Sequence, residues 1–133
     1  LIGALIDQDT DVENQFSSFF GLDAAYPVGP ITLAIKKKLP IVSTFIVRTG
    51  KQRHHVITRD IPYSADDPQA PAKILSTYNS HLEDLILRFP EQWIWWHRRW
   101  RRRPGVNYSA GSETPLSATA YCDWISTKER AAV

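Results

Sequence analysis

The chain is poor in the residues on which several chemistries depend. One cysteine, Cys122, stands in 133 residues, so no internal disulfide can staple the fold and a reducing compartment is the expected setting. That thiol has no nearby His, and one Cys with His54 and His55 side by side does not make the tetrahedral set zinc requires. Six glycines are too few and too scattered for a phosphate cradle: neither G-x-G-x-x-G nor G-x-x-x-x-G-K occurs, which removes the common nucleotide-dependent chemistries. No G-x-S-x-G elbow is present, so a serine hydrolase is poorly supported. There is no Met and the first residue is Leu1, from which we expect a piece of a longer polypeptide. No apolar run reaches the roughly 18 to 20 residues that cross a bilayer, and nothing resembles a signal peptide. Membrane attachment by this stretch is therefore expected at the surface.

What is present suffices for one folded domain. Hydrophobic residues make up 43% and charged residues 23% of the chain, a balance that supports a buried core and argues against disorder. Sixteen Lys and Arg oppose fourteen Asp and Glu, so net charge selects no partner, but the charge is polarised. Residues 1–35 carry Asp7, Asp9, Asp11, Glu13 and Asp23 with no Lys or Arg, whereas residues 91–103 hold five Arg against one Glu.

Residues 1–6 form a short apolar run that predicts a buried strand delivering Asp7 and Gln8 at its carboxyl end. A polar loop is expected next, closing on a turn at Phe19, Phe20 and Gly21. Residues 31–38 have helical composition, with Pro30 acceptable in a first turn, three lysines favourable near the C-terminus and Pro40 as the stop. Residues 41–47 and 53–61 read as the two strands of a hairpin joined through residues 48–51. Ile74, Leu75, Tyr78, Leu82, Leu85, Ile86 and Phe89 recur at steps of three and four and predict an amphipathic helix that ends at Phe89-Pro90. Residues 104–133, rich in Ser, Thr, Ala and Gly, read as a polar and largely irregular tail.

Three constellations carry candidate chemistry. The densest is residues 91–103, with four of the five tryptophans and five arginines. Indole and guanidinium side by side suit phosphate. They point to a surface for anionic lipid headgroups or a platform for single-stranded nucleic acid, against the plainer alternative of core tryptophans and a solvated basic face. Asp7-x-Asp9-x-Asp11 begins like a calcium loop, but Val12 stands where that loop needs glycine and Ser18 where it needs a bidentate Glu. Asp7 and Gln8 are then candidate site residues at a strand end, and Asp9, Asp11 and Glu13 solvated loop acids. His55 and Asp60 form an H-x-x-x-x-D string, the spacing of an acyltransferase base and its orienting acid. On a strand these side chains emerge on opposite faces about 16 Å apart, so a catalytic dyad is rejected here.

The order Ile6-Asp7-Gln8, Phe19-Phe20-Gly21, Gly29-Pro30-Ile31-Thr32-Leu33-Ala34, Leu39-Pro40-Ile41-Val42 and Phe89-Pro90-Glu91-Gln92-Trp93-Ile94-Trp95-Trp96-His97-Arg98-Arg99-Trp100 closely resembles the C-terminal half of bacterial lipid A biosynthesis acyltransferases. These are the lauroyl and myristoyl transferases of the lysophospholipid acyltransferase superfamily. The resemblance implies an α/β fold, a mixed sheet with flanking helices, as a partial acyltransferase domain over residues 1–103. It implies transfer of a fatty acyl chain from acyl carrier protein to a hydroxyl of a lipid A precursor or other glycolipid, at the cytoplasmic face of the inner membrane, with no cofactor and no nucleic acid. The family's His of an H-x-x-x-x-D/E motif, the general base, is expected upstream of Leu1, so no catalytic residue is assigned in this chain and acyl transfer by it alone is not expected. By the same resemblance Asp7, Gln8, Phe19, Phe20 and Gly21 match the block that lines the substrate cleft, and Pro40, Ile41 and Val42 the block after it. Bottom-up, Arg98 and Arg99 are candidates for lipid phosphate or the acidic carrier protein, and Trp93 and Trp95 for packing.

Overall fold

The computed structural model describes residues 1–10, 12–95, 97–102 and 104–105. Its longest element is helix α2 (Ala70–Arg88), whose buried face carries Ala70, Ile74, Leu75, Leu82, Leu85 and Ile86. This is the stripe read from the sequence, and each fully buried Ile or Leu on it contributes about 2 kcal/mol. Two hairpins accompany the helix, β1 (Asn14–Phe19) with β2 (Leu22–Pro27), and β3 (Val42–Gly50) with β4 (Arg53–Asp60). Helix α1 (Gly29–Lys36) connects the two, and a short 3-10 turn, Pro90–Gln92, follows α2. The α/β character expected from the sequence is present, organised as two separate antiparallel two-stranded sheets; the described strands do not join into one mixed sheet. The core joins Phe19, Ala24 and Tyr26 of the first hairpin to Ile31 of α1, Ile61 and the α2 stripe.

The first hairpin is where sequence reading and structure part. Residues 14–19 were expected as polar loop and are strand, in register from Asn14 opposite Pro27 to Phe19 opposite Leu22. Asn79 supplies the physical reason. Buried within the apolar stripe of α2, it donates through Nδ2 to Ser17 Oγ (3.1 Å) and Ser18 O (2.6 Å), so the polar strand meets a polar partner in the core. The turn at Phe20-Gly21 was expected, and both residues have positive φ, 50° and 76°, as a two-residue hairpin of the primed type requires. An aromatic residue at positive φ is uncommon. Phe20 is held there by its N–H, which donates to Glu83 Oε1 (2.6 Å), and by its ring against Phe19, 4.8 Å between centroids.

The expected buried strand at residues 1–6 is overturned. No ladder forms there, and Leu1, Ile2 and Leu5 are exposed. A strand needs a neighbour to take its main-chain groups, and none of the described strands lies beside these residues. Helix α1 ends two residues earlier than expected, with Lys38 in the left-handed conformation (φ 51°) and Leu39 N–H donating to Ala34 O at 2.9 Å. The β3–β4 hairpin stands as expected. It also separates His55 from Asp60, which fall on opposite faces of β4, paired with Val47 and Val42 respectively. Residues 106–133, read as a tail, lie outside the described residues.

The β3–β4 hairpin meets α2 through polar groups. Ser43 Oγ and His81 Nδ1 are 2.8 Å apart, Arg59 pairs with Asp84 (2.6 Å), and Arg88 reaches the same carboxylate from one turn away at 2.9 Å. The Arg59 guanidinium, helped by Arg88, holds the Asp84 carboxyl below its usual range. Burial, then the nearby Arg59 charge, push His81 below its ordinary value of 6.5, against a smaller opposing pull from Asp84. A His whose folded value is depressed contributes stability that is full above the unfolded value and is lost as pH falls through the folded one. The unfolding midpoint is therefore expected to drop as pH is lowered from about 7.5 to about 5.5, and His81→Asn, which keeps a polar atom near Ser43, to flatten that drop. Circular-dichroism melts across this range check it; equal slopes for the two chains would show that His81 does not carry the effect.

Candidate functional site

The site is built where the two ends of the described chain meet. Asp9 is buried, with its side chain 1% exposed, and its carboxylate forms an ion pair with Arg102 at 2.6 Å and a longer one with Arg101 at 3.5 Å. Arg102 also donates its main-chain N–H to Asp9 Oδ2 at 3.2 Å, and Asp9 N–H donates to His97 Nε2 at 3.3 Å. Asp9 was expected as a solvated loop acid, and the structure corrects this: it is the anchor of residues 7–9 on residues 97–102. Burial of a carboxylate demands such partners. Its neighbour Glu13 is exposed as expected, and Asp11 lies outside the described residues.

Three further contacts seat the tryptophan and arginine segment. Arg99, 1% exposed, donates through Nη1 to Ala25 O at 2.6 Å, with its guanidinium carbon 4.0 Å from the Tyr26 ring centroid. Burial raises the Tyr26 hydroxyl above its usual range and the Arg99 charge pulls it back part of the way. Trp100 stacks on Phe19 at 5.6 Å and donates Nε1–H to Phe19 O at 3.3 Å, and Trp93 packs on the same ring at 6.0 Å. Gln92 meets Arg48 of β3 twice, accepting from its N–H at 2.7 Å and donating to its carbonyl at 3.0 Å. That bond falls where the β3–β4 register shifts between Arg48 and Gly50, so the side-chain amide takes the main-chain groups that the ladder leaves.

Between the anchored loop and this segment lies a cleft of about 590 Å³, within the range of small-molecule sites. Its lining comes from Asp7, Gln8 and Asp9 of the loop, Gln92, Trp93 and Ile94 from the end of the 3-10 turn onward, and His97, Arg98 and Arg101. Of the residues singled out from the sequence, Asp7, Gln8 and Arg98 share this cleft. Phe19 and Arg99 do not: both are sealed in the core, where Phe19 is the ring on which two tryptophans rest. Phe20 and Gly21 form the hairpin turn and are not among the lining residues. Pro40 and Ile41 line a second, smaller hollow beside Tyr63. Trp93 packs as expected, but Trp95 is 56% exposed, with its indole N–H donating to Pro90 O at 2.7 Å and its main-chain N–H to Trp93 O at 3.1 Å. Gln92, His97 and Arg101 were not singled out, although Gln92 and His97 stand inside the quoted motif and were the available signal.

The electrostatics are asymmetric. Arg98 is exposed and has no ion-pair partner among the described residues, while Asp7, also unpaired, faces the cleft and adds to the burial that raises Tyr78. Such a cleft can offer a carboxylate and an amide to hydroxyls, a guanidinium to an anion and an indole to an apolar chain. Among the described residues its rings form no exposed row: Trp93 and Trp100 are partly buried on the core, Trp95 alone of the three is exposed, and Arg99 and Arg102 are buried. Single-stranded nucleic acid would need that row. Among the described residues no three His, Cys, Asp or Glu side chains gather to hold a metal ion, and no helix is long and apolar enough to cross a membrane.

A family model for bacterial lipid A biosynthesis acyltransferases matches residues 1–102. The chain belongs to that family. No curated protein and no solved structure matches it. The match ends at Arg102, the residue whose guanidinium holds Asp9, so in this lipid A biosynthesis acyltransferase chain both halves of the anchor lie within the matched region.

Removing the charge at Asp9 breaks its buried ion pair with Arg102, a loss of about 3 kcal/mol. Asp9→Asn is accordingly expected to lower the unfolding free energy from denaturant melts by that amount and to raise hydrogen exchange in residues 7–10 and 97–102 together. Exchange rising in only one of the two segments would show that they are not coupled through this carboxylate.

Proposed function

We propose that this chain forms the acceptor-binding portion of an acyltransferase that moves a fatty acyl chain from acyl carrier protein to a hydroxyl of a lipid A precursor. The observation that carries the proposal is the shared cleft: Asp7, Gln8 and Arg98, far apart in sequence, line one concavity. Arg98 faces a phosphate of the acceptor and Asp7 and Gln8 face its hydroxyl and amide groups, while Trp93 and Ile94 flank the start of an acyl chain. Phe19 and Arg99 serve the site by holding its wall and do not touch substrate.

In the reaction the acceptor hydroxyl gives up its proton to a general base and attacks the thioester carbonyl. The new ester C–O bond forms, the C–S bond breaks, and the carrier's thiol leaves with a proton. The general base is assigned to an H-x-x-x-x-D/E motif upstream of Leu1, and the work of residues 1–103 is to grip and orient the acceptor. The setting is the cytoplasmic face of the inner membrane, where the glycolipid is presented from the bilayer surface.

Binding of a phosphorylated, acylated glucosamine disaccharide in detergent micelles, followed by isothermal titration, tests this. The 133-residue chain is expected to bind it, Arg98→Gln to weaken binding about tenfold, and the loss to shrink at high salt. No ester product is expected when acyl carrier protein charged with a fatty acid is added. Turnover by this chain alone would refute the division of labour, and absence of binding would refute the acceptor site.

A further inference from the structure

The tautomer of His97 is fixed by a group that can only donate. Asp9 N–H donates to His97 Nε2 at 3.3 Å, so Nε2 presents its lone pair and the proton of the neutral ring resides on Nδ1. Asp9 cannot swing away to release that bond, because its own carboxylate is buried against Arg102 at 2.6 Å. The opposite ring nitrogen, Nδ1, has no acceptor among the described residues and is not sealed from solvent, and the ring lines the cleft next to Arg98.

We infer that His97 is a ligand-contacting residue, a hydrogen-bond donor locked in the Nδ1–H form, which with the Arg98 guanidinium grips an anionic phosphate-ester oxygen of the bound glycolipid. Two donors lining one cleft favour an oxyanion over a hydroxyl, and the carboxylate of Asp7 in the same lining repels a second anion. The inference rests on the acceptor-cleft reading above and adds to it the donor that reading lacks.

Two near-isosteric substitutions separate the ring's two contacts. His97→Gln places an amide oxygen near Nε2 and keeps an acceptor for Asp9 N–H, with no donor at Nδ1; His97→Asn places an amide nitrogen near Nδ1 and gives up the Asp9 contact. With the phosphorylated disaccharide as probe, His97→Gln is expected to leave the melting midpoint unchanged and weaken binding about tenfold. Binding of the dephosphorylated disaccharide should not change. His97→Asn should keep most of the affinity and melt earlier. Nitrogen-15 spectra of histidine-labelled chain should show the His97 ring proton on Nδ1, and a proton on Nε2 in the neutral ring would overturn the inference. So would a His97→Gln chain that binds the phosphorylated probe as tightly as the parent, or loses affinity equally for both disaccharides. Inorganic phosphate competing as well as the disaccharide would keep the anion contact and assign it to the free ion. An effect of Arg98→Gln with none of His97→Gln sinks this inference alone, whereas a parent chain that binds no glycolipid sinks both readings.

Discussion

The buried carboxylate of Asp9 is the constraint on which the site depends. It ties a loop that follows an exposed apolar stretch to Arg102, 93 positions later, beside the bond from Asp9 N–H to His97. An ion pair this far from water adds little net stability compared with a well-packed apolar pair. What it gives is position: the carboxylate that meets Arg101 and Arg102 sits two residues from Asp7 and joins it to the segment that carries Arg98.

Arg99 and Trp100 extend the same logic to the other side of the segment. A guanidinium lying on Tyr26 and an indole stacked on Phe19 dock the 97–102 run against the first hairpin. Consecutive residues therefore alternate in duty, with His97 and Arg98 facing the cleft while Arg99 and Trp100 face the core. A basic, aromatic-rich run that looks like a uniform surface in sequence is divided, residue by residue, between packing and binding.

The β3–β4 hairpin and helix α2 were legible because their signals are local: β-branched runs around a turn in one, a three-and-four repeat in the other. The β1–β2 hairpin was hidden because Asn14, Gln15, Ser17 and Ser18 lack an apolar alternation, and their strand character depends on Asn79 from a helix some sixty residues away. Residues 1–6 failed in the opposite sense, carrying a strand-like composition with no described strand beside them. Of the candidate site, Asp7, Gln8 and Arg98 could be chosen from the motif alone, but nothing local distinguishes Arg98 from Arg99, or Asp9 from its acidic neighbours. Those distinctions are burial, and burial is a property of the assembled chain.

The sequence by itself determined which motifs the chain lacks, where the amphipathic helix and the second hairpin lie, and which family's motifs it carries, because each of these is written in residue type and short-range spacing. The tertiary structure alone decided that Asp9 is an anchor, that Arg99 is a core residue, that His97 has one nitrogen taken and one open, and that two distant segments share a cleft. Each of those depends on which groups lose water together when the chain closes, and no local pattern records that.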